Sequence, residues 1–140
     1  MTVSPKGGSP APSRPGPSPT VLVVEDEDGL RTVIRRLLQD EGYSVIEAQN
    51  GARALELLAE GADRKVGLVL TDLRMPVMDG RQLAAALARL QPGLPIVFMS
   101  GYTAQLMDMR LVSPQLTVLA KPFRNEDLLV TIRDQLARPA

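Results

Sequence analysis

One stretch limits what this chain can fold into more than any other. Val66-Gly67-Leu68-Val69-Leu70-Thr71 is a nearly unbroken apolar run that ends in a carboxylate, Asp72, and Met75-Pro76 comes three residues later. A run like this reads as a strand buried on both faces, as in a parallel sheet. Asp72 then sits where the strand leaves the core. An unpaired charge there would cost roughly several kcal/mol. Asp72 therefore needs a cation, a metal or strong donors, and the rest of the chain has to supply them.

The rest of the chain alternates between two periods. Thr20–Val24 is a β-rich apolar run, and Leu30, Val33, Ile34, Leu37 and Leu38 then fall on one helical face. Gly42 is the natural left-handed cap of that helix. Tyr43–Glu47 reads as a second strand. Asn50-Gly51 opens a helix that buries Leu55 and Leu58, with Asn50 as its N-cap. After the Val66–Thr71 strand, Asp79-Gly80 starts a helix with Leu83, Leu87 and Leu90 in register, and Pro92-Gly93 stops it. Leu94–Met99 is the fourth strand. Residues 103–111 form the weakest helical pattern, and Leu116–Ala120 is the fifth strand. Asn125 caps a last helix that buries Leu128, Leu129, Ile132 and Leu136. Five strands alternating with five helices imply βαβ units and an α/β sandwich, a doubly wound parallel sheet covered on both faces.

Residues 1–19 do not belong to this pattern. Six prolines are spaced by glycine and serine, with no acidic residue and almost no apolar side chain. Such a segment cannot offset its ordering entropy and reads as a disordered tail or linker, leaving 20–140 as the folded domain. Lysine plus arginine equals aspartate plus glutamate at 16 each, so no strong field draws nucleic acid or a membrane. The absence of cysteine and histidine excludes disulfides, thiolate or imidazole metal sites, and the commonest general base. No apolar run approaches the roughly 20 residues of a membrane span. A cytoplasmic protein is the expectation.

Function lies in the residues just past four of the five strands: Glu25-Asp26 after the first, Asp72 after the third, Ser100 after the fourth and Lys121 after the fifth, while the second ends in Glu47-Ala48 with no comparable group. In open α/β sheets ligands bind beyond the carboxyl ends of the strands, so three acids, a hydroxyl and a lysine should converge on one edge. Clustered carboxylates repel unless a cation joins them. All-oxygen ligands select a hard ion, Mg²⁺ or Mn²⁺, and Mg²⁺ favours one or two carboxylates, water and a phosphate. Lys121 is a point charge able to hold a phosphate oxygen or pair with Asp72. The set is equipment for a phosphoryl group at Asp72.

At these residues the chain resembles the receiver domains of bacterial two-component response regulators. The resemblance rests on Val23-Val24-Glu25-Asp26, Thr71-Asp72-Leu73-Arg74-Met75-Pro76, Met78-Asp79-Gly80, Ser100-Gly101-Tyr102 and Lys121-Pro122-Phe123, and runs from about Thr20 to Ala137. The Ser-Gly-Tyr variant is similar to receivers attached to hybrid histidine kinases. The resemblance implies a flavodoxin-like (βα)5 sandwich with strand order 2-1-3-4-5. It implies that Asp72 accepts a phosphoryl group from a sensor histidine kinase or a histidine phosphotransfer protein. Asp26, Asp72 and the carbonyl of Arg74 would ligate Mg²⁺, with Glu25 reaching it through water. Ser100 and Lys121 would hold the phosphoryl oxygens. Arg74 and Tyr102 would stand at the family positions that tune phosphate lifetime, shading the acyl phosphate. The fourth helix, fifth strand and fifth helix would form an output or homodimer face. The domain would catalyse only its own phosphorylation and slow dephosphorylation.

Three departures stand out. The acid pair is Glu-Asp rather than Asp-Asp, and the hydroxyl is serine rather than threonine. Val118 replaces the Tyr or Phe that swings inward on activation in many relatives. Val118 supports an alternative, a pseudo-receiver that is never phosphorylated and acts as a protein-interaction module. A Mg²⁺-dependent phosphatase with an Asp nucleophile is a second alternative, but such enzymes place an acid where this chain has Arg74. With 140 residues, the chain is expected to be a single-domain regulator or a receiver cut from a larger protein, without an output domain that binds DNA.

Overall fold

A computed structural model describes residues 19–60, 66–101 and 117–137. Its five strands are β1 (Thr20–Val24), β2 (Ser44–Ala48), β3 (Val66–Asp72), β4 (Ile96–Ser100) and β5 (Thr117–Ala120). Four helices lie among the described residues: α1 (Asp28–Asp40), α2 (Gly51–Glu60), α3 (Gly80–Leu90) and α4 (Asn125–Ala137). The tail at 1–18 and the helix expected at 103–111 lie outside the described residues. All strand pairs are parallel, in the order β2-β1-β3-β4-β5, as the resemblance implied.

The alternation of side chains along the strands divides the core in two. Val21 and Val23 of β1, Leu68 and Leu70 of β3, and Val97 and Met99 of β4 pack with Ile34 and Leu38 of α1 and Leu128 and Ile132 of α4. Leu22, Val24 and Val69 point the other way and meet Ala54 of α2 and Leu83 and Leu87 of α3. Each strand of the centre is therefore apolar at consecutive positions, which is why its sequence does not alternate. A smaller cluster of Leu73 and Phe98, with Val118 and Ala84 against it, lies beside the strand ends.

Helix ends obey local chemistry. Asp79 caps α3 by accepting from the Gln82 N–H at 2.9 Å, and the Gln82 side chain reaches back to the Asp79 N–H at 3.0 Å. Asn50 Oδ1 accepts from the Arg53 N–H at 2.9 Å. Gly42 follows α1 with φ of 97°, the left-handed conformation that favours glycine.

Several expectations need correction. Tyr43 is not in β2: its N–H donates to the Leu38 carbonyl at the end of α1, so the strand starts at Ser44. β4 starts at Ile96, because Leu94 is held in a turn by Gln91 and Pro95 has no N–H for the ladder. Asn125 is the first residue of α4 rather than its cap, and the Arg124 carbonyl accepts the first bond, from the Leu128 N–H. Val33 and Leu90 are 52% and 67% exposed. Val33 lies at the margin of the α1 stripe, and Leu90 is the last residue of α3. In α2 the buried residues are Gly51 and Ala54, whereas Leu55 and Leu58 are only partly covered, as are Leu129 and Leu136 of α4.

Candidate functional site

Strand register decides which side chains meet. Val24 pairs with Ala48 and Thr71, Asp72 with Met99, and Ser100 with Ala120, so the carboxyl ends of all five strands reach one edge. Glu25 extends β1 by one residue, its N–H bonded to the Ala48 carbonyl at 3.0 Å. Its side chain turns inward and is 1% exposed. Asp72, the last residue of β3, is buried, while Asp26 is exposed. Ser100, the last residue of β4, is buried too, and its carbonyl accepts from the Lys121 N–H at 2.8 Å. That bond anchors Lys121 at the base of its side chain.

The Lys121 ammonium lies 3.0 Å from Glu25 Oε1 and 3.4 Å from Asp72 Oδ1. The other Glu25 oxygen, Oε2, accepts from the Glu27 N–H at 3.0 Å. Glu25, Asp26 and Asp72 offer carboxylate oxygens that all lie within 4.8 Å of one another. The pair with Glu25 was not foreseen from the sequence, where Lys121 was matched with Asp72 or a phosphate. β1 and β5 are separated by β3 and β4, and the pair forms because the inward-turned Glu25 side chain and the Lys121 side chain reach toward each other over the ends of those strands.

One ammonium does not neutralise three carboxylates. Burial pushes the Asp72 carboxyl above its ordinary value; Lys121 opposes the rise and Asp26 adds to it. Burial also raises Glu25, against the bonds from Glu27 and Lys121, and Asp72 adds to that rise. For Lys121, burial acts to lower its value, but the bond to Glu25 and the charge of Asp72 outweigh it and hold the ammonium above the ordinary lysine value. A site of two buried carboxylates and one exposed one, still short of positive charge and with only carboxylate oxygens to offer, fits a hard divalent cation such as Mg²⁺ or Mn²⁺. A groove beside Asp26, lined by Leu73, Arg74, Asp79 and Arg81, opens the cluster to solvent.

Two glycines let the backbone pack closely here, Gly80 on Asp72 and Gly51 on Met78. A Cβ on Gly80 would collide with the Asp72 carbonyl oxygen and sit 3.1 Å from Leu73 Cα. A Cβ on Gly51 would come within 2.7 Å of the Met78 side chain and 2.9 Å of the Met78 carbonyl, which accepts from the Gly51 N–H at 3.0 Å. The loop between β3 and α3 is thus clamped at both ends.

The structure brings Glu25, Asp26, Asp72 and Lys121 together, with Ser100 joined to Lys121 through the backbone. Arg74 is exposed on the groove rim. Val118 packs on Leu73 and Phe98, next to the site and not in it. Tyr102 lies outside the described residues. Sequence reasoning missed Arg31. Its Nη1 donates to the Glu25 carbonyl at 2.7 Å, and its position four residues after Glu27, one turn into α1, was the available signal.

Comparison with known proteins bears on the family and the fold. The profile of the response regulator receiver domain matches residues 21–133. The response regulator receiver protein CpdR of Brucella abortus is 36% identical over 117 residues, covering 83% of this chain and 95% of CpdR. The sensor kinase CckA of the same organism is 38% identical over 122 residues, which are 86% of this chain and 13% of the kinase. The transcriptional regulatory protein GlrR of Escherichia coli is 36% identical over 86% of this chain and 27% of its own length. This chain thus spans only a minor part of the larger relatives. Among solved structures, the receiver domain from the hybrid histidine kinase CckA superposes with a TM-score of 0.69 at 33% identity, over 84% of this chain and 98% of that domain. The chemotaxis response regulator CheY4 of Vibrio cholerae gives 0.71 at 28% identity, with the same coverage.

Proposed function

This chain belongs to the response regulator receiver domain family, and from that premise we propose that it accepts a phosphoryl group on Asp72. One observation carries the proposal: a single ammonium, that of Lys121, reaches both Asp72 at 3.4 Å and Glu25 at 3.0 Å at the edge of the sheet. An ionised Asp72 oxygen attacks the phosphorus of a phosphohistidine on a sensor kinase or histidine phosphotransfer protein. A P–O bond forms, the P–N bond breaks, and its electron pair leaves with the imidazole nitrogen. Lys121 then exchanges a carboxylate partner for a phosphoryl oxygen, and the Ser100 hydroxyl donates to another. Asp26, Asp72 and the Arg74 carbonyl would hold Mg²⁺, with Mn²⁺ able to substitute, and Glu25 would take part through water. Bound there, the ion would neutralise charge that builds up on the phosphoryl oxygens.

The folded unit is residues 20–140, with residues 1–19 as a linker, acting in the cytoplasm. No helix among the described residues is long and apolar enough to cross a membrane. The phosphorylated site biases a two-state surface read by an output partner. Dimerisation would use β5, α4 and the segment between β4 and β5, much of which lies outside the described residues. Arg74 on the groove rim shields the acyl phosphate. Arg74→Ala should shorten the phosphoryl half-life several-fold, measured by loss of the phosphorylated mass with time; an unchanged half-life removes Arg74 from this role.

Phosphoramidate or acetyl phosphate with Mg²⁺, then intact-mass measurement, tests the central claim. Wild type should gain one phosphoryl group, and neither Asp72→Asn nor wild type in excess chelator should gain any. No gain on wild type, with small donors or with a panel of histidine kinases, would leave the interaction-module reading in its place.

A further inference from the structure

The acidic pair at the end of β1 is held from behind. Arg31 lies one turn into α1, and its side chain is 16% exposed. Its guanidinium has three partners on three different segments. Nη1 donates to the Glu25 carbonyl at 2.7 Å, Nη2 to Asp28 Oδ1 at 2.7 Å, and Nε to Glu47 Oε1 at 3.2 Å. Glu47 is in β2 and is itself gripped on its other oxygen by Arg35 Nε at 3.1 Å. The planar fork therefore ties β1, the start of α1 and β2 to one another.

The Glu25 carbonyl belongs to the same rigid peptide plane as the Asp26 N–H. Fixing that carbonyl fixes the rotation of the Glu25–Asp26 peptide. Glu25 must point inward to meet Lys121, while Asp26 must point to the exposed side yet stay within 4.8 Å of its two fellow acids. A rotation of that one peptide would move the Asp26 carboxylate out of the cluster. We propose that Arg31 is a positioning residue for the cation site: by holding the Glu25 carbonyl it sets the direction of Asp26, and so the affinity for a divalent cation. Glu47 and Asp28 hold the guanidinium in place. Lysine cannot substitute, because one ammonium does not span three acceptors in a plane. The inference rests on the proposed role of Asp26 and Asp72 as cation ligands.

Position and charge predict opposite signs. If Arg31 acted only through its charge, neutralising it would remove a repulsion and tighten cation binding. If it acts by positioning, neutralising it should weaken binding by about tenfold or more, as loss of a group supporting a ligand does. The test is Mg²⁺ titration by calorimetry on the full chain, with free Mn²⁺ monitored by electron paramagnetic resonance as a second probe. Thermal melts with and without Mg²⁺ establish that each variant is folded. Arg31→Gln should bind at least tenfold more weakly, and Glu47→Gln should weaken binding by a smaller factor. Arg53→Gln, which loses only surface pairs with Glu56 and Glu60, should match wild type. Should Arg31→Gln not fold, Arg31→Lys carries the same expectation. Wild type that binds while the Arg31 variants bind within twofold of it, or more tightly, overturns the positioning role alone. Wild type that does not bind overturns both this role and the cation site.

Discussion

Val77 has φ of 70°, a left-handed backbone on a β-branched residue that is 79% exposed. The Met78 N–H bonds to the Pro76 carbonyl at 2.8 Å across it, closing a tight three-residue turn. This conformation costs roughly 1–2 kcal/mol for an L-residue. Val77 has little packing to lose, so Val77→Gly should raise stability by about 1 kcal/mol after the added unfolded-state entropy is counted. The urea midpoint should rise with an unchanged slope; a fall would mean the strain is not there. Nothing in the string Met75-Pro76-Val77-Met78 signals a positive φ at valine, because the turn is imposed by the two clamped ends of the loop. Asp72 and Lys121 were legible one by one as charges at strand ends. The grip of Lys121 on Glu25 was not, since it spans 96 residues of sequence.

α3 and β3 show how closely an element is fitted to the site. The first residue of α3, Gly80, donates its N–H to the Leu73 carbonyl at 3.0 Å and leaves no room for a Cβ above Asp72. Gly80→Ala must push either the helix or the Asp72 peptide aside. The expected cost is about 1–3 kcal/mol in urea unfolding, together with slower phosphoryl gain than wild type under the same donor. A variant of wild-type stability and rate would show that the helix start yields without moving Asp72. Element identities were legible because Asp79, Gln82, Gly42 and Asn50 act locally. Boundaries shifted by one or two residues where the capping bonds at a helix end claimed the residue, as at Tyr43, or where proline removed a donor, as at Pro95. The burial of Ala54 in place of Leu55 was decided by how close α2 lies to the sheet.

At the scale of the molecule, the acid cluster is a local burden on folding. Glu25 and Asp72 have folded values above their ordinary ones, so the folded form binds protons more readily than the unfolded chain. Their contribution to stability is therefore present below the ordinary carboxylate range and is lost as pH rises through the raised values. In chelator at neutral pH, Asp72→Asn should be more stable than wild type, and the advantage should vanish as pH falls below the usual carboxylate range. Melting curves across pH decide this; a variant less stable at every pH would mean that Lys121 more than offsets the burial of Asp72. By itself the sequence determined the class of fold, the parallel sheet and the identity of the acids and the lysine, because strand burial, helical period and capping are written in residues near one another. Only the tertiary structure decided that Lys121 divides itself between Glu25 and Asp72, that Arg31 bonds the Glu25 carbonyl from behind, and that Gly80 lets the backbone close on Asp72 and Gly51 on Met78. Those are distances between segments far apart in the chain, and no local pattern encodes a distance that exists only once the sheet has formed.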